Sequence, residues 1–164
     1  MDLTAFYGIT AGLSFTLLGL WWVACQSRSA WLRHPESRRM AYVVSLHFLL
    51  PGAMSLLAMV APDIGLMWRI TFFTAGALGL IGSLLQAATI QRHTGDARRV
   101  ALIQWAGVPL YGLVCAVALL PDVVRDLQLG LTPIQVEAIA VVLLVLLGAQ
   151  SAWILTFMPE DSAR

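Results

Sequence analysis

The sequence predicts an all-α fold, a polytopic membrane helix bundle with five transmembrane helices. Of its 164 residues, 59% are hydrophobic and 12% are charged, which is more apolar surface than one small water-soluble core can bury. The apolar residues form uncharged runs of about 20 residues, the length that an α-helix needs to cross a hydrocarbon core of about 30 Å. Polar segments rich in arginine or proline separate the runs. We therefore expect residues 1–164 to form one integral membrane domain.

The expected helices are separated by short connections, and they cover about residues 3–25, 40–61, 66–91, 100–120 and 133–158. No basic residue precedes the first run and no small-x-small cleavage site follows it, so we expect a retained helix rather than a signal peptide. Thr132 and Pro133 form a favourable N-cap and first-turn pair for the last helix.

The distribution of arginine predicts the orientation of the chain. Eight arginines lie in the first and third connections and in the C-terminal tail: Arg28, Arg33, Arg38, Arg39, Arg92, Arg98, Arg99 and Arg164. The opposite side holds only Arg125. By the positive-inside rule, the N-terminus lies outside and the C-terminus is cytoplasmic. The predicted location is a bacterial cytoplasmic membrane.

Two stretches of the chain resemble each other. Residues 38–63 and 98–122 both begin with paired arginines, contain a central proline (Pro51 or Pro109) and end at Pro-Asp. One explanation is a parallel repeat of two-helix hairpins. The other is that membrane topology and helix-stop chemistry favour these ends in any case. The sequence leaves both explanations open.

The central prolines predict helix kinks. A proline inside a helix cannot donate a hydrogen bond to the carbonyl four residues earlier. Pro51 would thus release the carbonyl of His47, and Pro109 that of Trp105. A released carbonyl inside a membrane needs another partner or a water-filled cavity.

Small residues indicate which helix faces pack closely. The third predicted helix carries them at every fourth position, as Ala75, Gly79, Ser83 and Ala87. In lipid, small residues mark contact faces because they let two backbones approach each other. The stripe predicts that the third helix is the central one.

Two charged residues lie at similar depth near the outer ends of uncharged runs. Arg69 precedes residues 70–91, and Glu137 precedes residues 138–159. Both point toward small, bundle-facing positions on a helical wheel, which predicts an ion pair between Arg69 and Glu137. The alternative is that each side chain extends into the outer headgroup region.

Polar side chains also occur in the inner half of the predicted bundle. His47, Gln86 and Gln104 lie roughly 7–12 Å inside the cytoplasmic arginines, and Tyr111 shares a helix face with Gln104. Together with the released carbonyls they predict a polar, ligand-binding pocket. The alternative is that these side chains form ordinary hydrogen bonds between helices.

Several function classes are excluded or left without support. The chain has no lysine, so it cannot form the Schiff base of retinal or pyridoxal chemistry. It has no nucleophile elbow, zinc-protease motif or phosphate-binding glycine loop, and a metal site would need more ligands than His47. The basic loops do not resemble a nucleic-acid surface. We assign no catalytic residue, no metal and no cofactor.

Three functions remain. The favoured one is a ligand-binding or transport-type module with a polar pocket in the inner half, taking a small apolar or lipid-like ligand. The second is a structural or assembly subunit that contacts another membrane protein or further copies of itself. The third, and least expected, is a membrane-embedded enzyme acting on a lipid or quinone, with His47 or Glu137 as acid or base. The lipid bilayer is a partner in all three.

Overall fold

The computed structural model describes residues 3–28, 33–60, 64–87, 102–103, 105–126 and 130–157. These residues are almost entirely helical and contain no strand. The helices are α1 (Leu3–Ser27), α2 (Pro35–Val60), α3 (Gly65–Ala87), α4 (Gly107–Leu119), α5 (Pro121–Asp126) and α6 (Pro133–Phe157). The predicted all-helical bundle is confirmed.

Four of the described helices are long and apolar enough to cross a membrane: α1, α6 and most of α2 and α3. The protein is therefore an integral membrane helix bundle. α4 has 13 residues, which correspond to about 20 Å and are too few to cross the hydrocarbon core alone. Helical residues precede it, but a turn at Ala106 separates them from α4, and the Ala106 amide donates to the Ile103 carbonyl (3.0 Å). α4 thus begins later than the sequence predicted.

The long helices run alternately between two ends of the bundle. At the first, which we call the α5 end, the Arg69 guanidinium at the start of α3 donates to carbonyls at the end of α4. The other end contains Arg38 in the first turn of α2, and we call it the Arg38 end. There Arg28, which follows α1, donates to the carbonyls of Leu155 and Thr156 in α6. These contacts join helix ends that are far apart in sequence.

The central helix is α2, and the prediction that the third helix is central was wrong. In its most apolar window, 61% of the α2 residues are buried in the protein, compared with 28% for α3. α1, α3 and α6 all pack against α2, whereas α4 packs against α3 and α6. The small residues of α3 form one close contact face, and large apolar residues such as Leu78 and Leu85 are exposed on its other faces. A small-residue stripe therefore indicates close packing and not a central position.

The closest packing in the bundle joins α3 to α4. A Cβ added at Gly79 would overlap the ring of Tyr111, and one added at Gly76 would lie 2.9 Å from the Cys115 sulfur. Only glycine permits this approach at position 79, because Tyr111 is fully buried and its ring fills the space where a side chain would begin.

Candidate functional site

His47 lies fully buried near the middle of α2. Its Nδ1 is 2.6 Å from the carbonyl oxygen of Val43. Since a carbonyl can only accept, Nδ1 must carry the hydrogen, and in a neutral imidazole Nε2 is then an acceptor. Nε2 is buried without a hydrogen-bond partner among the described residues. The ring therefore presents to the interior of the bundle a lone pair that no described residue engages.

Glycines on two other helices let their backbones approach this ring. A Cβ added at Gly107, the first residue of α4, would lie 2.8 Å from His47 Nε2, and one added at Gly148 in α6 would lie 2.9 Å from the His47 Cβ. The same Cβ on Gly107 would lie 2.8 Å from the Ser83 Oγ of α3. Four helices thus meet at one point. We call this group the His47 layer, which comprises His47, Ser83, Gly107, Tyr111 and Gly148.

The hydroxyl of Ser83 is the second polar group in the His47 layer that lacks a partner. Ser83 is buried, and its Oγ forms no hydrogen bond to any described residue. Because Oγ and His47 Nε2 flank the same position at Gly107, they are at most twice 2.8 Å apart. Each buried polar atom left unpaired costs about 1–3 kcal/mol. Two of them side by side mark a position that a polar ligand atom or a water molecule would stabilise.

Tyr111, which the sequence analysis included in the predicted pocket, lies beside His47, but its hydroxyl already forms a hydrogen bond. The two ring centroids are 5.7 Å apart. The Tyr111 hydroxyl donates to the carbonyl of Leu46 at 3.3 Å. Tyr111 therefore forms a wall of the His47 layer and links α4 to α2, and it does not present a free hydroxyl.

The two glutamines of the predicted pocket cannot be placed at the site. The backbone of Gln86 belongs to α3, three residues after Ser83, but its side chain lies outside the described part of the chain. Gln104 also lies outside the described residues. Their membership of a polar pocket stays a prediction.

The two predicted kinks differ in position. Pro51 is buried inside α2, which is assigned as one helix on both sides of it. It still leaves the His47 carbonyl without its usual donor. Pro109 is the third residue of α4 and is exposed, and the turn at Ala106 precedes it by three residues. Position 109 lies in the first turn of α4, where the backbone N–H of another residue would have no intrahelical acceptor in any case.

The structure does not bring Arg69 and Glu137 together as an ion pair. The Arg69 Nε donates to the Ala118 carbonyl at 2.8 Å, and a terminal guanidinium nitrogen donates to the Leu119 carbonyl at 2.9 Å. Both Glu137 oxygens are buried and have no hydrogen-bond partner among the described residues. The guanidinium interacts instead with the C-terminal carbonyls of α4, which lack intrahelical donors and form the negative end of the helix dipole.

Sequence reasoning missed Ser83 as a site residue. It had assigned Ser83 to the small-residue packing stripe of the third helix, which is where the structure places its backbone. The available signal was that Ser83 alone in that stripe carries a hydrogen-bonding side chain. No pattern in the sequence shows that this hydroxyl of α3 lies near His47 of α2.

The described residues contain no group of three or more His, Cys, Asp or Glu side chains that could hold a metal ion. The chain matches no protein-family model, and neither the curated proteins nor the solved structures include one with significant similarity to it. The function must therefore be inferred from the His47 layer itself.

Proposed function

We propose that this protein is a ligand-binding or transport-type membrane module whose ligand binds in the His47 layer. One observation carries the proposal. His47 Nε2 and Ser83 Oγ are buried, have no hydrogen-bond partner among the described residues, and flank the same point beside Gly107. Buried polar atoms are nearly always paired in native proteins, so an unpaired acceptor next to an unpaired hydroxyl fits a site that a ligand completes.

The chemistry of the layer defines the ligand class. His47 Nε2 accepts a hydrogen bond, and the Ser83 hydroxyl can donate or accept one. The surrounding core is apolar, with Leu46, Val114 and Leu144 fully or nearly fully buried nearby in one cluster with Tyr111. The ligand is thus a small, uncharged, largely apolar or lipid-like molecule with one hydroxyl-type group that donates to Nε2.

Entry of the ligand requires α4 to move away from α3. Gly107 closes the site in this arrangement, and it directly follows the turn at Ala106. The interrupted hydrogen-bond pattern at this turn makes it the natural hinge, because fewer backbone bonds must break there than inside a helix. A transport cycle would alternate between this closed arrangement and one in which α4 has separated from His47.

The proposal includes the orientation of the bundle. α4 and the helical residues before it form a fifth span, the N-terminus lies outside, and the Arg38 end is cytoplasmic, as the arginine distribution requires. The His47 layer then lies in the inner half of a bacterial cytoplasmic membrane. The ligand would enter from the cytoplasmic side or from the inner leaflet.

A photoreactive aliphatic alcohol that carries a diazirine tests the proposal, because it is apolar and has one hydroxyl. The full-length protein in lipid nanodiscs is irradiated with this probe, and the labelled peptides are identified by mass spectrometry. We expect labelling around His47 and Gly107 that excess octanol competes away. Ser83→Ala and His47→Phe should reduce this labelling, whereas Ser55→Ala should not. Ser55 in α2 is a matched control because, like Ser83, it is a buried hydroxyl that has no hydrogen-bond partner among the described residues.

Equal labelling of the wild type and Ser83→Ala, or labelling confined to lipid-facing residues, would overturn the proposal. Thermal unfolding of each variant shows whether a loss of labelling reflects misfolding. If the protein instead purifies from its native membrane with a stoichiometric protein partner and binds no alcohol probe, the subunit alternative is supported. The enzyme alternative requires a lipid head group within hydrogen-bond reach of His47 or Glu137, and both side chains have 0% exposed surface.

A further inference from the structure

A second buried ionisable side chain lies in the opposite half of the bundle. Glu137 in α6 has 0% exposed surface, and neither carboxyl oxygen has a hydrogen-bond partner among the described residues. It precedes Gly148, the α6 residue of the His47 layer, by 11 residues, or about 16 Å along the helix. Glu137 is therefore separate from the proposed ligand site.

Two titratable side chains from neighbouring helices lie close enough to Glu137 to interact with it electrostatically. They are Tyr7 from α1 and Cys115 from α4. The Tyr7 hydroxyl donates to the Ile134 carbonyl at 3.1 Å, and the Cys115 thiol lies 3.8 Å from the Phe73 carbonyl. Neither side chain is a cation that could balance a carboxylate.

The described residues of the other helices supply no counter-charge either. The one cationic residue of α3 is Arg69, and its guanidinium donates to α4 carbonyls. In α2, Met54 and Ala58 belong to the same core cluster as Ala138, and no residue between His47 and Val60 carries a charge. In α5, the exposed Arg125 forms an ion pair with Asp122 at 2.8 Å. An ionised carboxylate buried without a hydrogen bond or a cation is very unfavourable, so this packing favours the neutral, protonated form of Glu137.

A surface cavity comes within one helical turn of Glu137. It has a volume of about 590 Å³, lies at the α5 end, and is lined by Trp68, Arg125, Thr132 and Ile134 among others. Ile134 precedes Glu137 by three residues, so the two lie on the same side of α6, about 4.5 Å apart along its axis. The Tyr7 hydroxyl is bound to the carbonyl of this same Ile134. The contact between Tyr7 and Ile134 thus lies at the wall of the cavity, one helical turn from Glu137.

We propose that Glu137 is a proton-binding site that exchanges its proton with the aqueous phase at the α5 end of the bundle. When the contact between Tyr7 and Ile134 opens, cavity water reaches the carboxyl group. The O–H bond of Glu137 breaks, water accepts the proton, and the carboxylate is hydrated. Reprotonation restores the neutral side chain and lets the contact close. This site does not depend on a ligand at His47.

Dicyclohexylcarbodiimide tests this proposal, because it modifies protonated carboxyl groups in apolar surroundings and not ionised ones. The full-length protein is reconstituted into sealed vesicles, and a protease-cleavable tag at one terminus separates the two orientations. We expect mass spectrometry to find the modification at Glu137. Labelling should fall as the pH rises in the compartment that contacts the α5 end, and the pH of the other compartment should have no effect. Glu137→Gln is the control and should lose this label.

Tyr7→Phe tests the opening of the contact between Tyr7 and Ile134. It removes the hydrogen bond to Ile134 and keeps the ring, so labelling at Glu137 should respond faster to a pH jump on the α5 side. Phe15→Leu, on an exposed position of α1, should leave the rate unchanged. An unchanged rate in Tyr7→Phe would show that this contact does not limit the exchange.

Infrared difference spectroscopy covers the case in which the reagent cannot reach the site. The wild type should show the carbonyl band of a protonated carboxyl group at neutral pH, and Glu137→Gln should lack it. The absence of this band in the wild type would overturn the proposal. Labelling that follows the pH of the opposite compartment, or that follows sodium concentration at fixed pH, would also overturn it.

Discussion

Replacing Gly79 with alanine tests how closely α3 and α4 pack. The added Cβ would overlap the ring of Tyr111, which is fully buried. This ring cannot easily move, because it lies against His47 on α2 and its hydroxyl is bound to the Leu46 carbonyl. Overpacking costs about 1–3 kcal/mol, and alanine recovers about 0.5–1 kcal/mol through its better helix propensity. We therefore expect Gly79→Ala to lower the free energy of unfolding by about 1–2 kcal/mol, roughly a tenfold change in the unfolding equilibrium.

Gly112→Ala in α4 is the matched control for Gly79→Ala. A Cβ at position 112 would meet no atom within 4 Å, so only the helix-propensity gain applies and stability should be equal to or above that of the wild type. Both variants are unfolded reversibly by titrating sodium dodecyl sulfate into maltoside micelles, with circular dichroism as the readout. Equal stability of Gly79→Ala and Gly112→Ala would refute the close contact between α3 and Tyr111.

Three further substitutions test other contacts in the same assay. Arg69→Gln should lower stability by about 1–3 kcal/mol, because it removes hydrogen bonds from a charged donor to the end of α4. When Glu137→Gln is added, this loss should change by no more than about 0.5 kcal/mol. A larger coupling between the two substitutions would indicate an ion pair. Trp21→Phe should lower stability by about 1 kcal/mol or more, because the buried indole N–H donates to a backbone carbonyl of α2 at 3.1 Å. Trp22→Phe, on the exposed face of α1, should have little effect. If Trp22→Phe were the more destabilising of the two, the faces of α1 would be misassigned. Gly130→Ala should cost about 1 kcal/mol, because Gly130 has a φ of 68°, and a neutral result would argue against this turn before α6.

The sequence located His47 correctly as a buried ionisable residue but could not identify its partners. An uncharged run of 22 residues with one histidine identifies a polar group inside the membrane region, because hydropathy depends only on the local chain. Ser83 is 36 residues further along the chain, and Gly148 is 101 residues further. Their approach to His47 depends on which faces of two other helices, α3 and α6, turn inward, and lipid contacts do not determine this.

For the Arg69 side chain, too, the sequence could not identify the partner. A helical wheel placed it on a bundle-facing side, and its guanidinium does lie against another helix. The wheel could not distinguish between a carboxylate on α6 and the carbonyl groups at the end of α4, because both lie at similar depth. The backbone carbonyls interact with Arg69 because α4 packs directly against α3.

The sequence by itself determined that this chain is helical and lies in a membrane. Backbone groups in lipid must be hydrogen-bonded within each segment. Because an α-helix meets this requirement, long apolar runs form helices. Only the tertiary structure decided that α2 is central, that α4 begins at Gly107 beside His47, and that Glu137 is buried with no partner among the described residues. These features depend on close packing between side chains and backbones of distant segments, where differences of a few tenths of an ångström decide which contacts form.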